Sequence, residues 1–141
     1  MQVQNYLSFD GRCAEAIEFY QKALGAQVQM KMRFSDSPDQ SMVKPEMADK
    51  IMHASLRIGD TTLMMSDGDC GGKASFSGFS LVLSVKDEAE ARKLFEAVSA
   101  GGQVTMPMQK TFFSPAYGMA RDTLGVHWMV MAEGSQNASA K

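Results

Sequence analysis

The chain has 141 residues, 45% of them hydrophobic and 21% charged, the balance of an ordinary globular domain rather than a disordered tract. A formal net charge of −2, with lysines and arginines scattered along the chain, excludes a basic footprint for nucleic acid or an anionic membrane surface. No stretch approaches the roughly 18 uninterrupted apolar residues of a membrane span, and "VQNYLSFDG" at the start has no leader-like basic or apolar region, so a cytoplasmic location is expected.

Residues 3–9 alternate as a strand, Leu7 and Phe9 on one face, Gln4, Tyr6 and Ser8 on the other. From Ala14 to Leu24 the apolar spacing becomes helical, and Gly25 stands where a left-handed cap would end the helix. "AQVQMKMRF" then alternates strictly, predicting a half-buried strand with Val28, Met30, Met32 and Phe34 on one side. Residues 35–50 carry two prolines and no period, and are expected to form a long loop of the kind that often serves as a lid. "IMHASLRIGDTTLMMSDG" predicts a hairpin turning at Gly59-Asp60, with Met52, Ala54, Leu56 and Ile58 on its apolar face.

A glycine-rich connector over residues 68–78 follows, and the pattern restarts. Residues 79–85 predict a strand, Asp87 an N-cap with Glu90 as its box partner, and Ala91, Leu94, Phe95 and Val98 the stripe of a second helix ending at Gly101-Gly102. Three further strands are predicted over 103–109, 117–122 and 126–132, then a polar, frayed tail from Glu133. The expected fold is therefore α+β: one domain of two βαβββ modules, about 1–67 and 79–132, forming a curved mixed sheet with helices on its outer face. Neither module's helix can cover both faces of its sheet. A partly polar cleft is expected between the modules, where a small molecule would bind.

"YLSFDGRCAEAIEFYQKALGA", "HASLRIGDTTLMMSD", "FSGFSLVLSV" and "DTLGVHWMV" resemble, in order and spacing, the glyoxalase/bleomycin-resistance/dioxygenase (vicinal oxygen chelate) superfamily and its PhnB-like branch, named for a phosphonate-operon protein. The resemblance runs from about Val3 to Ala132. It implies a homodimer and, in metal-dependent members, four cleft-facing residues, two His and two Glu, around a divalent ion. Position by position those become Gln4, Met64, Ser80 and Met129 here. None is a first-choice ligand for a hard catalytic cation, so no metal site and no cofactor are expected. A three-ligand alternative of His53, His127 and Asp67 requires that they converge, against the plainer reading of both histidines as polar lining.

The expected ligand-binding face comprises Tyr6, His53, Ser55 and Met64 from the first module. The second supplies Ser80, Arg121, His127 and Met129. Among the 13 methionines, Met30, Met32 and Met52 read as core filler, while Met64 and Met129 make a soft floor for apolar or aromatic ligands. Trp128, of opposite parity to Met129, is expected in the core. Arg121, Arg33 and Lys110 are candidate anion contacts at the rim, though a solvated strand end explains each equally well.

Cys13, at the start of the first helix, is a candidate activated thiol by the helix dipole, against a far commoner role as a small packing residue. A disulfide with Cys70 is left open by the sequence. Branch relatives sometimes carry a methyltransferase label, yet neither strand-to-helix turn has the GxG pattern of a nucleotide-type cofactor. Two functions stay in play. The leading one is a metal-independent small-molecule binding protein, of a sequestering or resistance type. The alternative is a lyase, isomerase or transferase with a non-standard metal site.

Overall fold

The computed structural model describes residues 1–68 and 73–133, except for the side chain of Met42. The chain divides into two compact units, one ending at Ala74 and the other beginning at Ser75. The first contains β1 (Tyr6–Ser8), α1 (Cys13–Leu24), β2 (Gln27–Arg33), β3 (Ile51–Ile58) and β4 (Thr61–Ser66). The second contains β5 (Leu81–Val85), α2 (Glu88–Ser99), β6 (Gln103–Gln109), β7 (Tyr117–Arg121) and β8 (His127–Ala132). Each unit is thus βαβββ, and each builds its own four-stranded mixed sheet, in the orders β1-β4-β3-β2 and β5-β8-β7-β6. The first and last strands of each unit run parallel and the remaining neighbours antiparallel.

Helix α1 forms because Ala16, Ile17 and Tyr20 recur at helical spacing and are buried together. It stops at Gly25, whose φ of 65° lets its N–H reach Gln21 O while that of Ala26 reaches Tyr20 O. Helix α2 starts where the Asp87 side chain accepts the N–H of Glu90 at 2.9 Å. It buries Ala91, Phe95 and Val98. A Cβ at Gly118 in β7 would lie 2.8 Å from Phe95 Cε1 and 3.1 Å from Met108 Cα, so glycine is what lets α2 sit down on its sheet. Trp128 is 2% exposed, in the core as expected, and its indole N–H donates to Asp122 Oδ2 at 2.8 Å.

Matching buried carboxylates brace both units. Asp67, 2% exposed, accepts the N–H groups of Gly11 (2.7 Å), Cys13 (2.9 Å) and Ile51 (3.0 Å). It thereby ties the start of α1 to the start of β3 and satisfies the Cys13 N–H, which has no partner within the helix. Asp122 likewise accepts from Leu124 and Val126 as well as Trp128.

Three expectations change. β1 is shorter than residues 3–9, since its ladder with β4 covers only Tyr6 to Ser8, and Gln4 lies exposed outside it. Met30 and Met32 are not core. β2 is the outermost strand of its sheet, and a register shift between Val28 and Met30 places Val28 opposite Leu56 but Met30 opposite Ser55 and Met32 opposite His53. The extra residue reverses the parity from Met30 to Met32, until a second shift before Arg33 restores it, leaving Met30 42% exposed. Met52 is only half-buried.

The 35–50 segment is a loop but not a structureless one. It winds through three single turns of 3-10 helix, Phe34–Asp36, Gln40–Met42 and Pro45–Met47. Gln40 Nε2 donates to the carbonyl groups of Phe34, Ser35 and Ser37, and Arg33 donates to Asp49 O at 2.5 Å. That contact ties the last residue of β2 to the end of the loop. Cys70 and the tail beyond Glu133 lie outside the described residues, and with them the disulfide and the fraying.

Candidate functional site

In the first unit the register across β1, β4, β3 and β2 aligns Tyr6 with Met64, Met64 with Ser55, and Ser55 with Met30. Because successive residues of a strand alternate faces, this row lies opposite the buried Leu7, Leu56 and Met65. Tyr6 and His53 meet above it. The phenol oxygen is 2.9 Å from His53 Nδ1, and the rings are tilted by 35° with centroids 5.5 Å apart. All four residues expected from this unit therefore share one half-open face.

The second unit repeats the arrangement with a more complete polar system. Ser80 Oγ is 2.5 Å from His127 Nδ1, and Thr105 Oγ1 is 3.1 Å from His127 Nε2. A neutral imidazole has one donor and one acceptor nitrogen, so one hydroxyl donates to the ring and the other accepts from it. Next to His127, Arg121 stands directly across the β7–β8 ladder, and Met129 stands across from Val82 and Met119. The Tyr117 hydroxyl donates to Met129 Sδ at 3.4 Å, which fixes the thioether in place.

Ser80, Arg121, His127 and Met129 line one open concavity of about 510 Å³ together with residues 76–79 and Val82. That volume falls within the usual range for small-molecule sites. All four residues predicted from the second half are thus brought together. Its apolar wall is Phe76, Phe79, Val82 and Met129, with Phe79 41% and Val82 53% exposed.

Sequence reasoning missed Thr105, Tyr117 and the two phenylalanines. The phenylalanines lie on and just beyond the glycine-rich connector, which reads as spacer. Thr105 had a signal: "QVQMKM" at 27–32 recurs as "QVTMPM" at 103–108. Both copies carry the same register shift, between Val28 and Met30 and between Val104 and Met106. The shifted residue reaches β4 in one unit, where Thr62 Oγ1 donates to Gln29 Oε1 at 3.3 Å, and β8 in the other, where Thr105 meets His127.

The four positions that hold a metal in other superfamily members do not fit one here. Gln4 is exposed outside β1, Met64 and Met129 offer thioethers, and the Ser80 hydroxyl is engaged by His127. Hard divalent ions want carboxylate or imidazole donors. The alternative trio fails at Asp67, whose carboxylate is turned inward onto three backbone N–H groups. Among the described residues no three His, Cys, Asp or Glu side chains gather as a metal set. Cys13 is no activated thiol either. Burial first, and then the charge of Asp67, push its pKa up to about 12, opposite to the direction expected from the helix dipole. Lys110 lies exposed just beyond β6.

The sequence and the fold both match known proteins. A family model described as the glyoxalase/bleomycin resistance protein/dioxygenase superfamily matches residues 2–130. The chain is 38% identical over 140 residues to protein YjdN of Escherichia coli strain K12, spanning 92% of this chain and 94% of that one. The crystal structure of protein PA1353 from Pseudomonas aeruginosa has a TM-score of 0.84 at 40% identity, over 94% of this chain and 98% of that one. A PhnB protein from Bacillus cereus, whose name also carries a 3-demethylubiquinone-9 3-methyltransferase label, shares the fold at a TM-score of 0.76 and 21% identity, over 94% and 99% of the two chains. Two βαβββ units that repeat down to a shared edge-strand motif, and a match over almost the whole chain, give one conclusion: this protein belongs to the glyoxalase/bleomycin resistance/dioxygenase superfamily.

Proposed function

We propose that this is a PhnB-like, metal-independent small-molecule binding protein of a sequestering or resistance type. The observation that carries the reading is the concavity of the second unit, where Ser80, Arg121, His127 and Met129 converge beside an apolar wall. Methionine at two positions that are glutamate in metal-dependent superfamily members removes the charge that would hold a hard cation and supplies a soft surface instead. The methyltransferase label of the Bacillus cereus PhnB protein finds no support in the turns joining β1 to α1 and β5 to α2, "FDGR" and "KD", which lack the glycine pattern of a nucleotide-type cofactor site. Family resemblance further supports a homodimer, and we take the cytoplasm as its location; no helix among the described residues is long and apolar enough to cross a membrane.

Elemental analysis of protein purified without chelator, followed by a thermal-shift screen of aromatic and phosphonate compounds with and without added divalent metals, tests the reading. The expected result is no stoichiometric metal and stabilisation by ligands regardless of metal. Stoichiometric zinc, nickel or manganese that is lost in His53→Ala or His127→Ala would overturn it in favour of a metal-dependent lyase, isomerase or transferase.

A further inference from the structure

The two units carry the same arginine in the same place, but only one copy has an acid beside it in the turn. Arg57 in β3 and Arg121 in β7 both lie across from the first part of the following strand, Arg57 opposite Thr62 and Arg121 opposite His127. Both face the repeated edge-strand glutamine, Gln27 and Gln103 respectively. Each also donates to a glycine carbonyl in the turn that follows it, Arg57 Nε to Gly59 O at 2.9 Å and Arg121 Nη1 to Gly125 O at 3.3 Å. Here the likeness ends. Arg57 has Asp60 in the turn, 3.8 Å from its guanidinium. The acid in the second turn is Asp122, and it is 3% exposed with its carboxylate on the N–H groups of Leu124, Val126 and Trp128. Arg121 forms no ion pair among the described residues and lines the concavity.

A guanidinium has five N–H donors and cannot be deprotonated, so a solvent-facing copy with a single carbonyl partner keeps most of its capacity for an incoming anion. What surrounds it selects the rest of that anion. Phe79, Val82 and Met129 present an apolar, polarizable wall suited to a flat ring. The Ser80–His127–Thr105 chain adds hydroxyl and imidazole groups and no carboxylate. We infer that the concavity of the second unit takes a small organic acid with an aromatic body, its carboxylate received by Arg121 and its ring laid against Phe79, Val82 and Met129. This rests on the small-molecule reading above and names the class of molecule.

Calorimetric titration with 1-naphthoate and its neutral isostere 1-naphthamide tests it. A charge-assisted pair at this exposure should favour naphthoate by about tenfold. Arg121→Gln is expected to lower naphthoate affinity about tenfold and so erase that preference, and Arg57→Gln to leave it intact, each variant being checked for folding by circular dichroism. Equal binding of the two compounds to the wild type, or a preference that survives Arg121→Gln, overturns the inference and leaves the small-molecule reading standing. Absence of binding by either compound overturns the inference on its aromatic body, and the separate metal and ligand screen then decides the broader reading.

Discussion

Asp67 Oδ1 accepts the backbone N–H of Cys13 at 2.9 Å, so one carboxylate caps the first turn of α1 and stands behind the thiol of the same residue. The cap stabilises the helix, and the same charge opposes ionisation of the sulfur. Cys13 should therefore be inert in the native protein. In a Cys70→Ser background, iodoacetamide at pH 8 is expected to leave Cys13 unlabelled over hours and to label it within minutes in urea, read by mass spectrometry. Rapid native labelling would contradict this account.

The same shift fixes a pH dependence. The thiol pKa rises from an ordinary 9.0 to about 12 on folding, so below pH 9 both states hold the proton and stability is unaffected. Between those two values the unfolded chain releases a proton that the native one keeps, and unfolding becomes easier as pH rises. Urea midpoints measured from pH 8 to pH 11 should fall, and fall less in Cys13→Ala once its lower baseline is subtracted.

Asp67→Asn tests the brace itself. An amide oxygen can keep the Gly11 and Cys13 donors, but the amide NH2 then confronts the Ile51 N–H, leaving a buried donor unsatisfied. The expected cost is about 1–3 kcal/mol, seen as a lower urea midpoint with an unchanged slope. Asp122→Asn should cost a similar amount, because its second oxygen serves the Trp128 indole.

His127 is held at both ring nitrogens, by Ser80 and by Thr105, whereas His53 has Tyr6 at Nδ1. Thr105→Val should shift the ¹⁵N resonance of His127 Nε2 and leave the His53 signals in place. With two histidines in the chain, a His53→Gln spectrum assigns them. An unchanged His127 signal would mean that Thr105 does not fix its tautomer.

The sequence made the fold legible wherever local chemistry decides it. Gly25 ends α1, Asp87 starts α2, and the alternation from Ile51 to Ser66 gives the hairpin with its turn at Gly59. It also brought together Ser80, Arg121, His127 and Met129, because strand parity is a local property. Parity fails where a bulge intervenes, which is why alternation alone puts Met30 and Met32 in the core and gives no sign of Thr105. The role of Asp67 is hidden for a different reason. A carboxylate looks the same in sequence whether it faces a metal or three backbone N–H groups, and only the tertiary path of Gly11, Cys13 and Ile51 distinguishes them.

The displaced residues in β2 and β6 have a bearing on colloidal behaviour as well as on the site. Each lies on an outermost strand of its sheet, beside apolar groups that stay wet: Val28 and Met30 in one unit, Val104 in the other. A flat outer strand with such side chains is a template for stacking of like chains. The bulge interrupts the even spacing of donors and acceptors that an added strand would need, and Pro107 in β6 removes one donor altogether. The irregularity that aims Thr105 at His127 thus also guards the rim of the sheet against self-association.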